Sequence, residues 1–291
     1  MTSAKLWVAG ARPKTLGASV SPVLVGTAVA SRYGDVIWWR AAAALGVAVA
    51  MQVGVNYAND YSDGVRGVDT AARKGPVRLT ASGLAAPAAV KRAAYGALAV
   101  GAALGIVLAV AVDWRLVPVG AASVLAAWLY SGGPKPYAAA GLGEVMVLAF
   151  FGFVATCGST FVHLGRLPWL AALASVPLGL AAAAILLVNN LRDIPTDAAA
   201  GKRTLAVRVG APATRRLYAA SLAVALLSCA ALAGWAPGAL AGALAAPLAV
   251  KPVQTVARPG ATPPQLVAAL VGTARFELAL AVLLTVGMWS W

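Results

Sequence analysis

Apolar residues dominate the chain in long runs, and short polar segments separate one run from the next. Each run is roughly 20 residues long, which is the length a helix needs to cross a hydrocarbon core about 30 Å thick. The pattern predicts nine membrane helices, at about 16–33, 38–59, 90–112, 114–131, 143–163, 167–191, 213–233, 236–254 and 266–290. The predicted fold class is therefore an all-α polytopic membrane protein, a bundle of nine transmembrane helices.

Composition supports this class. Of the 291 residues, 61% are hydrophobic and 11% are charged, whereas a soluble domain usually carries about a quarter charged residues. The two cysteines, Cys157 and Cys229, lie in apolar runs without a nearby partner motif, so neither a disulfide nor a cysteine metal site is predicted.

The net charge of +14 follows from membrane topology rather than from nucleic-acid binding. With nine helices, all but four of the 23 Lys and Arg residues fall on the side of the N-terminus. The four exceptions are Arg32, Arg40, Arg115 and Arg166. Because cytoplasmic loops carry the excess of Lys and Arg, we expect a cytoplasmic N-terminus and an external C-terminus in the bacterial inner (plasma) membrane.

Acidic residues are concentrated in two places. The chain has nine Asp and Glu residues in all, and five of them lie in two long polar connections that we predict at about 60–89 and 192–212. These five are Asp60, Asp63, Asp69, Asp193 and Asp197. Repelling carboxylates at membrane helix ends are costly unless a cation holds them together.

The two acidic clusters resemble each other. A shift of 130 residues aligns Asn59-xxx-Asp63 with Asn189-xxx-Asp193-xxx-Asp197. This predicts a single domain, 1–291, built from two pseudo-repeats. Pro195 interrupts the second cluster and disfavours helix at the residue before it, so we expect the helical spacing to break there.

Carboxylate and amide oxygens are the ligands that Mg²⁺ takes alongside substrate phosphates. Basic residues follow each cluster and suit a phosphate group. Together they indicate a site for a lipid diphosphate at the cytoplasmic end of the bundle. Intramembrane carboxylates and internal repeats also occur in transporters, so a cation-coupled transporter is the alternative from another class.

Four segments resemble a known family. NDYSDGVRGVD, RKGPVRLTASG, LYSGGPKPYAAAGLGEVMVLAFFG and NNLRDIPTDAAAGKRTLAVRVG are similar to the UbiA-type intramembrane aromatic prenyltransferases. Within them, the spacing of Asp69 and the GPVRLTASG segment are most similar to the enzymes that prenylate 1,4-dihydroxy-2-naphthoate in menaquinone synthesis. The likeness covers nearly the whole chain, including ARPKTL near the start.

This resemblance implies a nine-helix bundle around a central cavity open to lipid, with Mg²⁺ as cofactor. It implies transfer of a polyprenyl chain from its diphosphate to the naphthoate, with loss of the carboxylate to give demethylmenaquinol. The implied metal ligands are Asn59, Asp60, Asp63, Asn190, Asp193 and Asp197. Asp69 departs from the general family spacing. Other aromatic acceptors, such as 4-hydroxybenzoate or homogentisate, stay open.

Further residues are candidates for the substrates. Tyr130 and Tyr137 can stabilise an allylic carbocation by cation–π attraction, and Lys135 suits the diphosphate or the acceptor carboxylate. Glu144 begins a helix, where its charge also suits the dipole. His163 is expected to be an interface residue at the far end of helix five. The remaining substrate-binding candidates are Arg12, Asn56, Arg66, Arg78, Lys202 and Arg203.

Overall fold

The computed structural model describes residues 4–68 and 77–289, and within these ranges it contains helices and no strand. The helices are α1 (Ala4–Gly10), α2 (Gly17–Ser31), α3 (Trp38–Val65), α4 (Pro87–Ala111), α5 (Leu116–Leu129), α6 (Gly143–Val147), α7 (Ala155–Leu164), α8 (Trp169–Ala199), α9 (Leu205–Leu232), α10 (Ala246–Ala257) and α11 (Pro263–Met288). A π-helical turn, Leu148–Val154, joins α6 to α7, and 3₁₀ helices at Pro13–Thr15 and Pro237–Ala245 precede α2 and α10. The all-α class is confirmed for the described residues.

Seven helical segments are long and apolar enough to cross a membrane. They make the protein a multi-pass membrane protein. At two of the predicted positions the apolar helices are shorter, Gly17–Ser31 and Leu116–Leu129. With 15 and 14 residues, these helices are about 22 and 21 Å long, less than the full hydrocarbon thickness of about 30 Å.

The motif-bearing helices extend further than hydropathy predicts. Helix α3 continues to Val65 and α8 to Ala199, so Asp60, Asp63, Asp193 and Asp197 lie on helix rather than in long loops. Helix α9 begins already at Leu205 and bends at Gly210, whose φ of 78° and ψ of 166° are accessible mainly to glycine. The predicted connection 192–212 is thus mostly helical.

Helix α8 also passes through Pro195, so the expected break is wrong. Proline removes one backbone N–H and with it one helical hydrogen bond. Here that loss falls within the last turns of a helix of 31 residues. The hydroxyl of Thr196 donates to the carbonyl of Asp193 over 3.0 Å beside the proline. Asp193 and Asp197 therefore lie one helical turn apart.

The packed core lies mainly in the C-terminal half of the bundle. Helices α8, α9 and α11, with α2 and the Pro237–Ala245 segment, share one large cluster of buried apolar side chains. Helix α8 is the central element, because 67% of its most apolar stretch is buried. On the other side, a cavity of about 1360 Å³ lies between α8 and helices α2 to α5.

Two glycines let α8 approach the π-helical turn. A methyl group added at Gly152 would lie 2.6 Å from Cα of Gly179, and one added at Gly179 would lie 3.0 Å from the carbonyl oxygen of Leu148. Small residues of this kind allow close backbone packing between membrane helices. The contact fixes α8 against the segment that carries Phe150 and Phe151 into the cavity.

We expect Gly152→Val to destabilise the protein by about 1–3 kcal/mol, because the added atoms must displace the α8 backbone. Thermal unfolding in detergent would show a lower midpoint than for the wild type. Gly96→Val is the matched control, since a Cβ at Gly96 meets nothing within 4 Å. Equal midpoints for the two variants would contradict the close packing.

Candidate active site

The two acidic motifs lie at the C-terminal ends of α3 and α8. Asn56, Asn59, Asp60 and Asp63 occupy the last three turns of α3, and Asn190, Asp193 and Asp197 the last turns of α8. Six of these seven side chains belong to residues less than a tenth exposed, Asn59 being the exception. Buried polar side chains at membrane helix ends require partners, and these partners define the site.

An ion pair joins the two motif regions. The ammonium group of Lys202, which follows α8, lies 3.1 Å from Oδ2 of Asp63. Both residues line a small pocket of about 140 Å³ together with Arg66, Tyr130 and Ser131. The Ser131 hydroxyl, in a residue that is 2% exposed, has no hydrogen-bond partner in the part of the chain that the structure describes. The pocket thus offers two cations and a hydroxyl donor.

Arg66 shapes this pocket by holding the connection after α5. Its guanidinium donates to the carbonyl of Ser131 over 2.8 Å and also to the carbonyl of Gly133. The sequence places Arg66 among the phosphate-binding residues. In the structure it lines the pocket and fixes the pocket's opposite wall.

Asp60 has a different set of partners from that expected of a metal ligand. Its Oδ2 accepts the backbone N–H of Leu79 over 2.8 Å, and its Oδ1 accepts that of Thr80 over 2.9 Å. The residue is 1% exposed. Both oxygens therefore anchor the segment before α4 to the end of α3.

Asp193 pairs with the residue before it, Arg192, which the motif comparison overlooks. Nε of Arg192 donates to Oδ1 of Asp193 and Nη2 donates to Oδ2, each over 2.7 Å. Nη2 also donates to Oδ1 of Asn189 over 2.9 Å. The spacing of Asn189 and Arg192, three residues apart on one helix, is the signal that could have indicated their contact.

Asn190 and Glu144 form a second buried contact. Nδ2 of Asn190 donates to Oε1 of Glu144 over 2.9 Å, which ties α8 to the first turn of α6. The other carboxylate oxygen, Oε2, is buried without a hydrogen-bond partner among the described residues. Glu144 thus orients Asn190, in addition to any favourable interaction with the helix dipole.

The large cavity is mostly apolar, with a polar end beside the two motifs. Its polar and aromatic lining includes Arg12, Asn56, Tyr130, Tyr137 and Arg192. Arg12 adopts a left-handed conformation with φ of 57°, which is uncommon for a residue other than glycine. The turn beside it is held by Asn56, whose Nδ2 donates to the carbonyl of Ala11 over 2.9 Å.

Tyr130 and Tyr137 meet edge to face at the junction of the two spaces. Their ring centroids are 5.6 Å apart with an interplanar angle of 80°. Tyr130 lines both the small pocket and the large cavity. The hydroxyl of Tyr137 donates to the carbonyl of Ala126 over 2.9 Å, and burial raises the pKa of Tyr137 to about 12. Its ring therefore stays neutral at physiological pH.

Several predicted site residues are not brought to these pockets. Lys135 and Arg203 are exposed and line neither. Arg78 is 6% exposed but also lies outside both linings. Asp69 lies outside the described residues.

His163 lies near the end of α7, and it is buried within the bundle. Its Nδ1 accepts the backbone N–H of Ile37 over 3.1 Å.

The predicted metal site can be tested against the donor atoms present. The described residues contain no group of three or more His, Cys, Asp or Glu side chains arranged to hold a metal. Carboxylate and amide oxygens are nevertheless available. Oδ1 of Asn59 is buried without a partner in the described ranges, and Asp63 uses only Oδ2 toward Lys202. All-oxygen donors of this kind fit Mg²⁺.

The fold and the site define a multi-pass membrane protein that places carboxylates and cations against an apolar cavity. The sequence matches the UbiA prenyltransferase family over residues 19–260. The chain therefore belongs to the UbiA prenyltransferase family, as its motifs indicate.

Related sequences and structures agree with this assignment. The chain is 49% identical over 251 residues to the 1,4-dihydroxy-2-naphthoate octaprenyltransferase of Mycobacterium tuberculosis, covering 86% of each chain. It is 35% identical to the enzyme of the same name from Escherichia coli, covering 87% of this chain and 85% of that one. A UbiA homolog from Aeropyrum pernix K1 shares the fold with a TM-score of 0.70 and 16% identity, covering 95% of this chain and 97% of that one. A UbiA homolog from Archaeoglobus fulgidus, solved with GPP and Mg²⁺, gives a TM-score of 0.62 with 14% identity, covering 96% and 99%.

We expect Asp60→Ala to release the segment before α4, because the buried N–H of Leu79 loses its acceptor at a cost of about 1–3 kcal/mol, and the half-buried N–H of Thr80 loses its acceptor as well. Hydrogen exchange of a peptide containing Leu79 and Thr80 would become at least about tenfold faster. Asp113→Ala, which removes a partly exposed acid bonded to Arg115, should leave this peptide unchanged. Slow exchange in the Asp60 variant would refute the anchoring role.

Proposed function

We propose that the protein transfers a polyprenyl chain from its diphosphate to 1,4-dihydroxy-2-naphthoate, giving demethylmenaquinol, CO₂ and diphosphate. The observation that carries this proposal is the position of Tyr130 between a small polar pocket and a large apolar cavity. A prenyl diphosphate has the same division, with a charged head and a long apolar chain. The names of the relatives that are 49% and 35% identical supply the acceptor.

The small pocket suits the diphosphate. Arg66 and Lys202 supply positive charge there, and the Ser131 hydroxyl is available to donate. Mg²⁺ held with Asn59, Asp63, Asp193 and Asp197 would neutralise the negative charge that develops on the leaving diphosphate. Asp60 stabilises the site by its hydrogen bonds to the backbone of Leu79 and Thr80, which hold the segment before α4 against the end of α3.

The large cavity suits the chain. Ile106 and Leu125 line it and are each 57% exposed, so the same side chains face the cavity and the outside. This double exposure supports a cavity open to lipid between α4 and α5. A long polyprenyl chain can then extend into the bilayer rather than fit entirely within the protein.

The reacting centre belongs beside Tyr130 and Tyr137. When the donor C–O bond breaks, the diphosphate takes the electron pair, and the neutral tyrosine rings stabilise the allylic cation. The ring carbon that bears the carboxylate forms the new C–C bond. The carboxylate then leaves as CO₂, and the electron pair of its C–C bond restores the aromatic ring.

We further propose nine crossings, including the two shorter helices α2 and α5, in a bacterial inner membrane. The distribution of Lys and Arg supports a cytoplasmic N-terminus. The motif-bearing ends of α3 and α8 then face the cytoplasm together, where water-soluble naphthoate and the diphosphate group are accessible.

The test uses purified protein with a short prenyl diphosphate, Mg²⁺, and either 1,4-dihydroxy-2-naphthoate or 4-hydroxybenzoate. Mass spectrometry should detect a decarboxylated prenyl naphthalenediol and no prenylated hydroxybenzoate, and EDTA should abolish the product. Asp63→Asn and Asp193→Asn should each lower the rate at least about 100-fold, because each removes a carboxylate that would hold Mg²⁺ beside the leaving diphosphate.

Asp35→Asn is the control, since Asp35 is exposed and distant from both motifs in sequence. It should retain the wild-type rate. If only 4-hydroxybenzoate gave a product, the proposed prenyl transfer would stand and the proposed acceptor would be wrong. EDTA-resistant turnover, or full activity in the Asp63 and Asp193 variants, would overturn the proposed site.

A further inference from the structure

Arg192 is a buried cation that lines the large cavity rather than the small polar pocket. Its side chain is only 3% exposed, compared with 16% for Lys202. The proposed roles of Arg66 and Lys202 at the diphosphate leave Arg192 without a function. A guanidinium at this depth is costly unless its donors are satisfied.

Three of its five N–H groups are satisfied. One N–H of Nε and one of Nη2 reach the two oxygens of Asp193, and the second N–H of Nη2 reaches Asn189. The two N–H groups of Nη1 donate to no residue of the described ranges 4–68 and 77–289. The guanidinium of Arg192 is thus held in orientation through Nε and Nη2, and its Nη1 keeps two N–H donors.

The surroundings of Arg192 suggest what these donors bind. Helix α8 presents one continuous face to the cavity, and its apolar part ends in Asn189 and Arg192 at the cytoplasmic end. The cavity-lining residues of this face are Ala182, Ile185, Leu186, Asn189 and Arg192. A ligand that fits has an apolar body with an anionic group at one end.

We propose that Nη1 of Arg192 binds the carboxylate of the aromatic acceptor, with Asp193 and Asn189 holding the guanidinium in place. This inference rests on the proposed function, because it names the residue that recognises the acceptor of that reaction. Asp193 already balances the charge of Arg192. What remains is a pair of directional donors, which suits one carboxylate better than a multiply charged diphosphate.

The experiment measures binding without donor or metal. Fluorescence titration compares 1-hydroxy-2-naphthoate with 1-naphthol, which has the same ring and no carboxylate. For the wild type we expect tighter binding of the carboxylated probe. Arg192→Gln should weaken the binding of 1-hydroxy-2-naphthoate about 10- to 100-fold, as expected for the loss of a charge-assisted hydrogen bond. The affinity for 1-naphthol should stay within about twofold of the wild-type value. Retained 1-naphthol binding also shows that the variant is folded.

Lys14→Gln is the matched control, because Lys14 is another cation that lines the same cavity. It should leave the preference for the carboxylated probe unchanged. Arg192→Lys keeps the charge but not the planar fork, so it should recover only part of the preference.

Three results of the probe titration itself would overturn the proposal. They are an equal loss of both probes in Arg192→Gln, no loss of either, and a wild type that does not prefer the carboxylated probe. Displacement of the probe by inorganic pyrophosphate in the wild type, lost in Arg192→Gln, would assign Arg192 to the donor and also overturn it. A preference for the carboxylated probe without prenyl transfer to the naphthoate would leave the Arg192 site standing and refute the proposed function instead.

Discussion

The structure depends on one electrostatic constraint, the burial of carboxylates at the ends of membrane helices. An ionised carboxylate at such a position is unfavourable unless cations or N–H groups surround it. The structure shows partners for three of the buried acids in the two motifs, and each of the three meets this requirement differently. Asp60 accepts backbone N–H groups, Asp63 pairs with Lys202, and Asp193 pairs with Arg192. These contacts connect α3, α8 and the segments that follow them into one polar layer.

That polar layer also separates two chemical environments. On one side of Tyr130 the small pocket gathers cations around Asp63, and on the other side the cavity is lined mainly by apolar side chains. An aromatic ring suits the boundary, because its face attracts a cation while its edges pack against apolar groups. The small pocket therefore matches the charged head of the ligand and the large cavity matches its apolar chain, with Tyr130 at the boundary between them.

Sequence reasoning identified the apolar helices, because a membrane helix requires a long apolar run. It identified both motifs, because their polar and acidic residues stand out against those apolar runs. It misplaced the ends of α3 and α8, since polar residues remain helical when their side chains are paired. The contact from Asp60 to Leu79 could not be predicted, because it joins residues 19 positions apart through a backbone group. The role of Arg192 was not predicted, because Arg192 lies inside the motif and the motif comparison considered only its Asn and Asp residues. Lys135 looked functional from its glycine- and proline-rich surroundings, which fix a loop without deciding which way a side chain points.

The π-helical turn at Leu148–Val154 bears on how this family can vary in length. A π turn closes its hydrogen bonds one residue further along than an α turn, so it holds about one residue more. Deleting one residue there would return the segment to an α-helix while α6 and α7 keep their faces toward the same neighbours. The same deletion elsewhere in a membrane helix would rotate every later residue by about 100°. The segment that carries Phe150 and Phe151 is therefore a place where an insertion or deletion can reshape the cavity and leave the rest of the bundle in register.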